Sequence, residues 1–240
     1  MVSHRHPLTL PFYRIMANFV IVAKRLIVKY DNLLVFNDLQ LDIMERDWVE
    51  IIGPNFSGKS SLLKVFYGLH EDLTGSLSVL DFSLNPVTKD FQSARRKMGF
   101  VSEAIPLLEE KTIRANLAIA LNATDKIKDL NTHQLIEDVL ARLGLQDKSG
   151  FLVSSLSSSE KLLVKLCRAL ITKPRMLLLD GLFDQLDDPM CEKVKVELAT
   201  IAGKEPLTVV VTGLQLKPYS PENKRIYYIE SKKLKEIIPA

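Results

Sequence analysis

The residues with the clearest chemical potential form one short segment, in which Gly53, Gly58, Lys59 and Ser60 match the spacing G-x-x-x-x-G-K-S. Glycines allow the backbone to turn tightly and to point its N–H groups inward, and a following helix would add the positive end of its dipole. A lysine at this spacing reaches the β- and γ-phosphates of a nucleotide, and the serine hydroxyl holds Mg²⁺. The spacing therefore predicts a phosphate-binding loop.

The segments on either side of the loop fit this interpretation. The apolar run 48–52 predicts a buried strand, and the run 59–69 predicts a helix. A strand before the loop and a helix after it favour nucleotide binding over a chance match in a turn. The predicted contacts are Gly53, Pro54, Asn55, Phe56, Ser57, Gly58, Lys59, Ser60 and Ser61.

Composition limits the class of protein. The 240 residues are 47% hydrophobic and 25% charged, which fits one α/β domain with a sizeable core. A net charge of +3 is too small to argue for a nucleic-acid partner, and none is predicted. The two cysteines form no C-x-x-C pair, which favours a reduced, intracellular compartment. No apolar run approaches the roughly 20 residues needed to span a bilayer.

Strand and helix patterns divide the chain into a short extension and one domain. Residues 1–15 are predicted to be a disordered extension, with Met16 as an alternative start, and residues 16–240 form the domain. Strand patterns at 18–30, 33–36 and 39–44 predict an antiparallel sheet before the loop. Strands that alternate with helices after the loop predict a mostly parallel sheet, with a helical insert over about 104–172.

Several shorter patterns complete the prediction. Ser157 and Glu160 have the spacing of a capping box, so a helix is expected to begin there. The run 176–180 predicts a buried strand that ends in Asp180. A helix over 188–202 is expected to end at Gly203, and 225–230 is expected to be an edge strand before a short terminal helix.

The order of these motifs resembles the nucleotide-binding domain of ABC transporters. The phosphate loop is followed by Leu-Ser-x-x-Glu at 156–160, by Leu-Leu-Leu-Asp at 177–180 and by Leu-Asp at 186–187. The resemblance covers about residues 18–235. Within that superfamily the chain is most similar to the FtsE cell-division ATPases, with the LolD-type lipoprotein-release ATPases close behind. The segment 96–117 carries this narrower similarity.

The resemblance implies a RecA-like core with an antiparallel β subdomain and a helical insert. It implies that the chain binds ATP and Mg²⁺, with Tyr30 stacked on adenine and Ser60 and Asp180 at the metal. It further implies that two such domains enclose two nucleotides head to tail. The residues expected to approach the nucleotide of the other subunit, or to couple the two sites, are Ser157, Ser158, Ser159, Glu160 and Asp187.

The same resemblance implies partners and a location. A homodimer is expected, with a heterodimer containing an intact ATPase subunit as the alternative. The membrane partner would be an integral, FtsX-like permease that docks between the sheet core and the helical insert. The chain would then lie in the cytoplasm, peripherally on the inner face of the cell membrane.

Four departures from the family pattern fall at the reacting centre. The family's catalytic glutamate is replaced by Gly181, and its switch histidine by Gly213. Its glutamine is replaced by Glu103, or by Ser102 if the alignment shifts by one, and two signature glycines are Ser158 and Ser159. Removing a positioned general base typically costs about 10²–10⁴ in rate.

The leading hypothesis is therefore an ATP-dependent dimer switch in an FtsE/FtsX-like complex, with weak or absent hydrolysis. No catalytic residue is assigned. Glu103 is also a predicted metal ligand, beside Ser60 and Asp180. One alternative is an active motor for cell division or lipoprotein release, in which Asp184, Glu103 or an intact partner in a heterodimer compensates for the missing base. The other is a scaffold that binds no nucleotide.

Overall fold

The computed structural model describes residues 18–30, 32–70, 72–83, 91–123, 131–216 and 224–237. The predicted extension, residues 1–15, lies outside them. The strands are β1 (Phe19–Tyr30), β2 (Leu33–Met44), β3 (Trp48–Ile52), β4 (Leu73–Val79), β5 (Phe82–Ser83), β6 (Met98–Val101), β7 (Met176–Asp180), β8 (Thr208–Gly213), β9 (Lys224–Glu230) and β10 (Lys233–Ile237). The helices are α1 (Lys59–Phe66), α2 (Phe91–Arg95), α3 (Ile113–Asn122), α4 (Thr132–Leu143), α5 (Ser158–Leu170) and α6 (Asp188–Lys204). No helix among these residues is both long enough and apolar enough to cross a membrane.

The strands form two sheets. The larger has the order β10-β9-β3-β8-β7-β6, in which every pairing except that of β10 with β9 is parallel. The smaller is antiparallel, with the order β2-β1-β4-β5. The predicted α/β fold class, a mostly parallel core beside an antiparallel β subdomain, is confirmed.

The central strands are buried on both faces, as their uninterrupted apolar sequences predict. In β7, Leu177 and Leu179 belong to the core shared with α3–α6, whereas Met176 and Leu178 belong to the core shared with α1 and the antiparallel sheet. All four side chains are fully buried. Burial on both faces is typical of parallel strands flanked by helices. This packing fixes the carboxyl ends of β3, β7 and β8 side by side.

The helices between β6 and β7 begin and end where local signals predict. Asn131 caps α4 by accepting a hydrogen bond from the Gln134 N–H, and Gly144 ends that helix in the left-handed conformation. The capping box of Ser157 and Glu160 at the start of α5 is also confirmed. Helices α3, α4 and α5 all fall within the predicted insert, whose bounds of 104–172 stay a prediction.

Four local predictions are wrong. The strands expected at 33–36 and 39–44 are one strand, β2. Asp38 adopts the left-handed conformation (φ 58°) at the register shift between the two halves, and pairing with β1 continues on both sides of it. Gly203 lies inside α6 and does not end it. The terminal segment is a strand, β10, and not a helix, because Ser231 and Lys232 both have positive φ and close a tight hairpin. The strand predicted to lie at the edge, 225–230, is β9, which pairs with β10 on one side and β3 on the other and so lies inside the sheet.

Candidate nucleotide-binding site

The loop between β3 and α1 is shaped by its glycines. Gly58 has φ 100°, and a Cβ atom there would lie 2.7 Å from Cγ1 of Val35. The Gly53 N–H donates to the Gly213 carbonyl at 3.2 Å, which fastens the start of the loop to the end of β8. The first N–H groups of α1 lack partners within the helix, as at every helix start, so they can serve an anion.

Lys59 places its ammonium group over this loop. Its Nζ donates to the carbonyl oxygens of Gly53 and Pro54, both at 2.7 Å. Burial lowers the pKa of Lys59, while the carboxylates of Asp184 and Asp180 act in the opposite direction. The loop therefore holds a partly desolvated cation where the motif predicts phosphate. The buried Ser57 hydroxyl has no hydrogen-bond partner within the described part of the chain.

Asp180 is the centre of a hydroxyl network at the end of β7. Its Oδ1 accepts from the Ser60 hydroxyl at 2.9 Å and from the Thr212 hydroxyl at 3.0 Å. Its Oδ2 accepts from the Ser102 hydroxyl at 3.3 Å. The network joins the carboxyl ends of β6, β7 and β8 to the first turn of α1. A carboxylate and a serine hydroxyl at this distance fit Mg²⁺, which takes few protein oxygens and completes its shell with phosphate and water.

These groups line one open cleft of 760 Å³, which lies in the size range of small-molecule sites. The predicted contacts that line it are Tyr30, Asn55, Phe56, Ser57, Gly58, Lys59, Ser60, Ser61, Glu103, Asp180 and Asp184. Gly53 and Pro54 take part through their carbonyl contacts with Lys59. Tyr30 is 37% exposed and stands in the same cleft as the apolar side chains of Leu33 and Val35.

Glu103 lines the cleft but already has a partner. Its carboxylate accepts from Nζ of Lys165 at 2.6 Å, and its side chain is 80% exposed. The neighbouring Ser102 is buried and bonds directly to Asp180. A metal-binding role for Glu103 stays a prediction, and it would require the carboxylate to turn away from Lys165.

Gly181, which follows β7, and Gly213, the last residue of β8, carry no side chain. Gly181 has φ 60°, and a Cβ atom there would meet only Nε2 of Gln185, at 3.9 Å. A Cβ atom at Gly213 would lie 3.5 Å from both carboxylate oxygens of Asp184. Asp184 sits in the short helical turn Leu182–Asp184, and its Oδ2 accepts from the Leu214 N–H at 2.9 Å. The carboxylate of Asp184 therefore occupies the space beside Gly213.

The remaining predicted site residues lie away from this cleft. Ser157 caps α5, and the Glu160 carboxylate accepts a hydrogen bond from the Ser157 N–H at 2.8 Å. Glu160 also forms an ion pair with Lys148. These contacts lower the pKa of Glu160 to about 2. Ser158 and Ser159 are exposed at the helix start. Asp187 caps α6 by accepting from the Met190 N–H at 2.9 Å.

Sequence reasoning missed two contributors. The Thr212 hydroxyl on β8 donates a hydrogen bond to Asp180 on the neighbouring strand β7. In the sequence, only the place of Thr212 at the end of a buried strand could have indicated this role. His70 stacks on Tyr30 with ring centroids 4.3 Å apart and planes inclined by 15°. An isolated histidine 40 residues from its partner has no local pattern that could have indicated this contact.

Comparison with known proteins agrees with this geometry. A family model described as "ABC transporter" matches residues 36–183. The glutamine transport ATP-binding protein GlnQ of Bacillus subtilis is 30% identical over 88% of this chain and 87% of its own length. The cell division ATP-binding protein FtsE of Streptococcus pneumoniae is 27% identical over 89% of this chain and 96% of its own.

Solved structures extend the similarity to the fold. The ATP-binding cassette MJ0796, solved as a dimer in a post-hydrolysis state bound to ADP and Pi, superimposes with a TM-score of 0.82. The match covers 92% of this chain and all of that one, at 22% identity. At this identity the comparison supports the fold alone.

Proposed function

This chain belongs to the ABC transporter family, and we propose that it is the ATP-binding subunit of a membrane complex and acts as an ATP-dependent dimer switch with weak or absent hydrolysis. One observation carries the proposal. The groups expected to hold a nucleotide are assembled in one cleft, whereas position 181, in the lining of that cleft, and position 213, next to it, carry only glycine.

The two halves of the site differ in what they can do. Lys59, the loop N–H groups and the Ser60–Asp180 pair supply charge and oxygen ligands to a magnesium-bound triphosphate. Bound Mg²⁺ would neutralise phosphate charge. Glycine at position 181 offers no acceptor for the proton of an attacking water, and glycine at position 213 offers no donor to the γ-phosphate. Phosphoryl transfer depends almost entirely on such positioning and charge stabilisation, so we expect binding without efficient cleavage.

The narrower assignment is an FtsE-like subunit, and the similarity to FtsE supports it. GlnQ is similar to a comparable degree, so these similarities do not single out one membrane partner, and the FtsX-like partner is proposed from the 96–117 segment. A groove of 450 Å³ between β6, α3 and α5 fits such a partner. Its apolar residues include Leu108 and Ile119, which are 40% and 49% exposed. Arg168, at its edge, is fixed by the carbonyls of Ile105 and Pro106. An amphipathic segment of a permease on the inner face of the membrane suits this groove.

The start of α5 supports a head-to-tail homodimer. Ser158 and Ser159 are exposed there and do not line the described cleft of their own subunit, so they are available to contact the cleft of a second subunit. A heterodimer with an intact ATPase would use the same contact.

An active motor is the second candidate, and Asp184 favours it. Its carboxylate lines the cleft, acts to raise the pKa of Lys59 and accepts a hydrogen bond from the Leu214 N–H. A general base must come within hydrogen-bond reach of the water that it activates. Under this alternative, Asp184→Asn would abolish a turnover that also requires Lys59.

The proposal is tested by ATP-dependent dimerisation, measured by light scattering with and without Mg-ATP. Lys59→Ala is expected to remove the dimer, because the variant loses the cation that meets the phosphates. Lys24→Ala, on the exposed face of β1, serves as the control and should dimerise normally. Unchanged dimerisation of the Lys59 variant would contradict the switch. A scaffold that binds no nucleotide would show no rise in melting temperature with ATP, since ligand binding to the folded state must raise it.

A further inference from the structure

The Tyr30 ring is backed on one face by a buried imidazole. The His70 and Tyr30 rings are nearly parallel, with centroids 4.3 Å apart. His70 is only 8% exposed, whereas Tyr30 is 37% exposed. Tyr30 lines the cleft, and His70 is not among the described residues that do so. The imidazole therefore covers one face of the Tyr30 ring, and the exposed part of Tyr30 stands in the cleft.

Hydrogen bonds fix this imidazole to the strand that carries Tyr30. Nε2 of His70 lies 2.5 Å from the carbonyl oxygen of Lys29, so this nitrogen carries the proton and donates. The N–H of Lys29 donates in turn to the carbonyl of Asp72 at 3.2 Å. Both backbone groups of the residue before Tyr30 are thus held by the segment that contains His70.

The path of the chain explains how His70 reaches this position. Helix α1 begins at Lys59 and ends at Phe66, and the chain then turns at Gly68, which has φ 70°. A Cβ atom at Gly68 would lie 2.3 Å from Cε1 of Phe91, so only glycine fits this turn. Helix α1 and the turn at Gly68 therefore connect Lys59, at the phosphate loop, to His70, which contacts Tyr30.

We propose that His70 is a positioning residue that holds the Tyr30 ring as the platform on which the purine base of the nucleotide stacks. The inference rests on the nucleotide binding proposed above. A tyrosine at an exposed strand end without such backing would sample other rotamers and lose the stacking geometry. Leu33 and Val35, the apolar neighbours of Tyr30 in the cleft, offer no hydrogen bonds from their side chains to base edges. We therefore expect the base to be held by its face against the Tyr30 ring, a mode that aromatic side chains provide for any purine.

Two variants at position 70 separate stacking from packing. His70→Leu fills a similar volume without a π face, and His70→Phe restores an aromatic ring without the bond to Lys29. Dissociation constants would be measured by calorimetry for Mg-ATP and for inorganic tripolyphosphate, which has no base. His70→Leu is expected to weaken Mg-ATP about three- to tenfold and to leave tripolyphosphate unchanged. His70→Phe is expected to bind Mg-ATP within about twofold of the unaltered protein.

A variant of Tyr30 completes the experiment. If His70 acts through Tyr30, the double variant Tyr30→Ala with His70→Leu should bind Mg-ATP no more weakly than Tyr30→Ala alone. Unchanged Mg-ATP affinity in His70→Leu, or an equal loss for both ligands, would overturn the inference, as would a loss that persists in His70→Phe. If His70→Leu does not fold, His70→Gln, which keeps a hydrogen-bond donor but has no ring, takes its place in the same comparison. Failure of the unaltered protein to bind either ligand would instead refute the proposed function.

Discussion

One carboxylate organises the polar chemistry of the cleft at the scale of single residues. Asp180 accepts hydrogen bonds from the hydroxyls of Ser60, Ser102 and Thr212, which come from three different elements. Charge-assisted bonds of this kind are stronger than neutral ones and hold their partners in fixed positions. The oxygen ligands that Mg²⁺ prefers are therefore arranged before any nucleotide binds.

A second residue-scale feature, the capping box of α5, predicts a response to acid. Contacts with Lys148 and Ser157 lower the pKa of Glu160 from 4.5 to about 2, so these contacts stabilise the fold above about pH 4.5 and are lost as the pH falls toward 2. Glu160→Gln should lower the free energy of unfolding by about 1 kcal/mol at pH 7, and the difference should close between pH 4.5 and 2. Urea unfolding at several pH values measures it, with Glu110→Gln, an exposed loop glutamate, as the control. A difference that is constant with pH would contradict this account.

At the scale of elements, local signals were sufficient where one residue type determines the backbone. The phosphate loop and the Ser157–Glu160 capping box were both predicted, because each depends on residues within a few positions of one another. The terminal hairpin was not, since Ser231 and Lys232 adopt positive φ without the Asn or Gly that usually marks such a turn. Contacts across the sheet, such as that of Thr212 with Asp180, leave no trace in a local pattern.

The glycine at the start of α1 gives an element-scale prediction. Gly58→Ala combines φ 100° with a contact of 2.7 Å to Val35, so we expect a loss of at least about 1–2 kcal/mol in the free energy of unfolding, together with loss of ATP binding. Gly203→Ala is the matched control, because a Cβ atom there has nothing within 4 Å and the residue lies in α6. It should stabilise the protein by up to about 1 kcal/mol. Urea unfolding of both variants measures the difference, and equal effects would contradict the role assigned to the loop.

At the scale of the whole molecule, the two cores explain why the site lies where it does. The core against α3–α6 and the core against α1 bury the central strands from both sides, and Ser102, Asp180 and Thr212 emerge at the shared carboxyl edge of these strands. The fold could be predicted from the order of motifs. The partner of Tyr30 and the pairing of Glu103 with Lys165 could not, because both depend on how separate elements pack.

We propose that this molecule holds ATP without cleaving it efficiently. A single-turnover assay distinguishes holding from cleavage: excess protein is mixed with trace labelled Mg-ATP, and bound and cleaved nucleotide are followed together, with Lys59→Ala as the control. We expect the ATP to be bound in a manner that depends on Lys59 and to stay intact on the timescale of seconds to minutes. Rapid cleavage that disappears in Lys59→Ala would contradict it, and loss of that cleavage in Asp184→Asn would identify the substitute base.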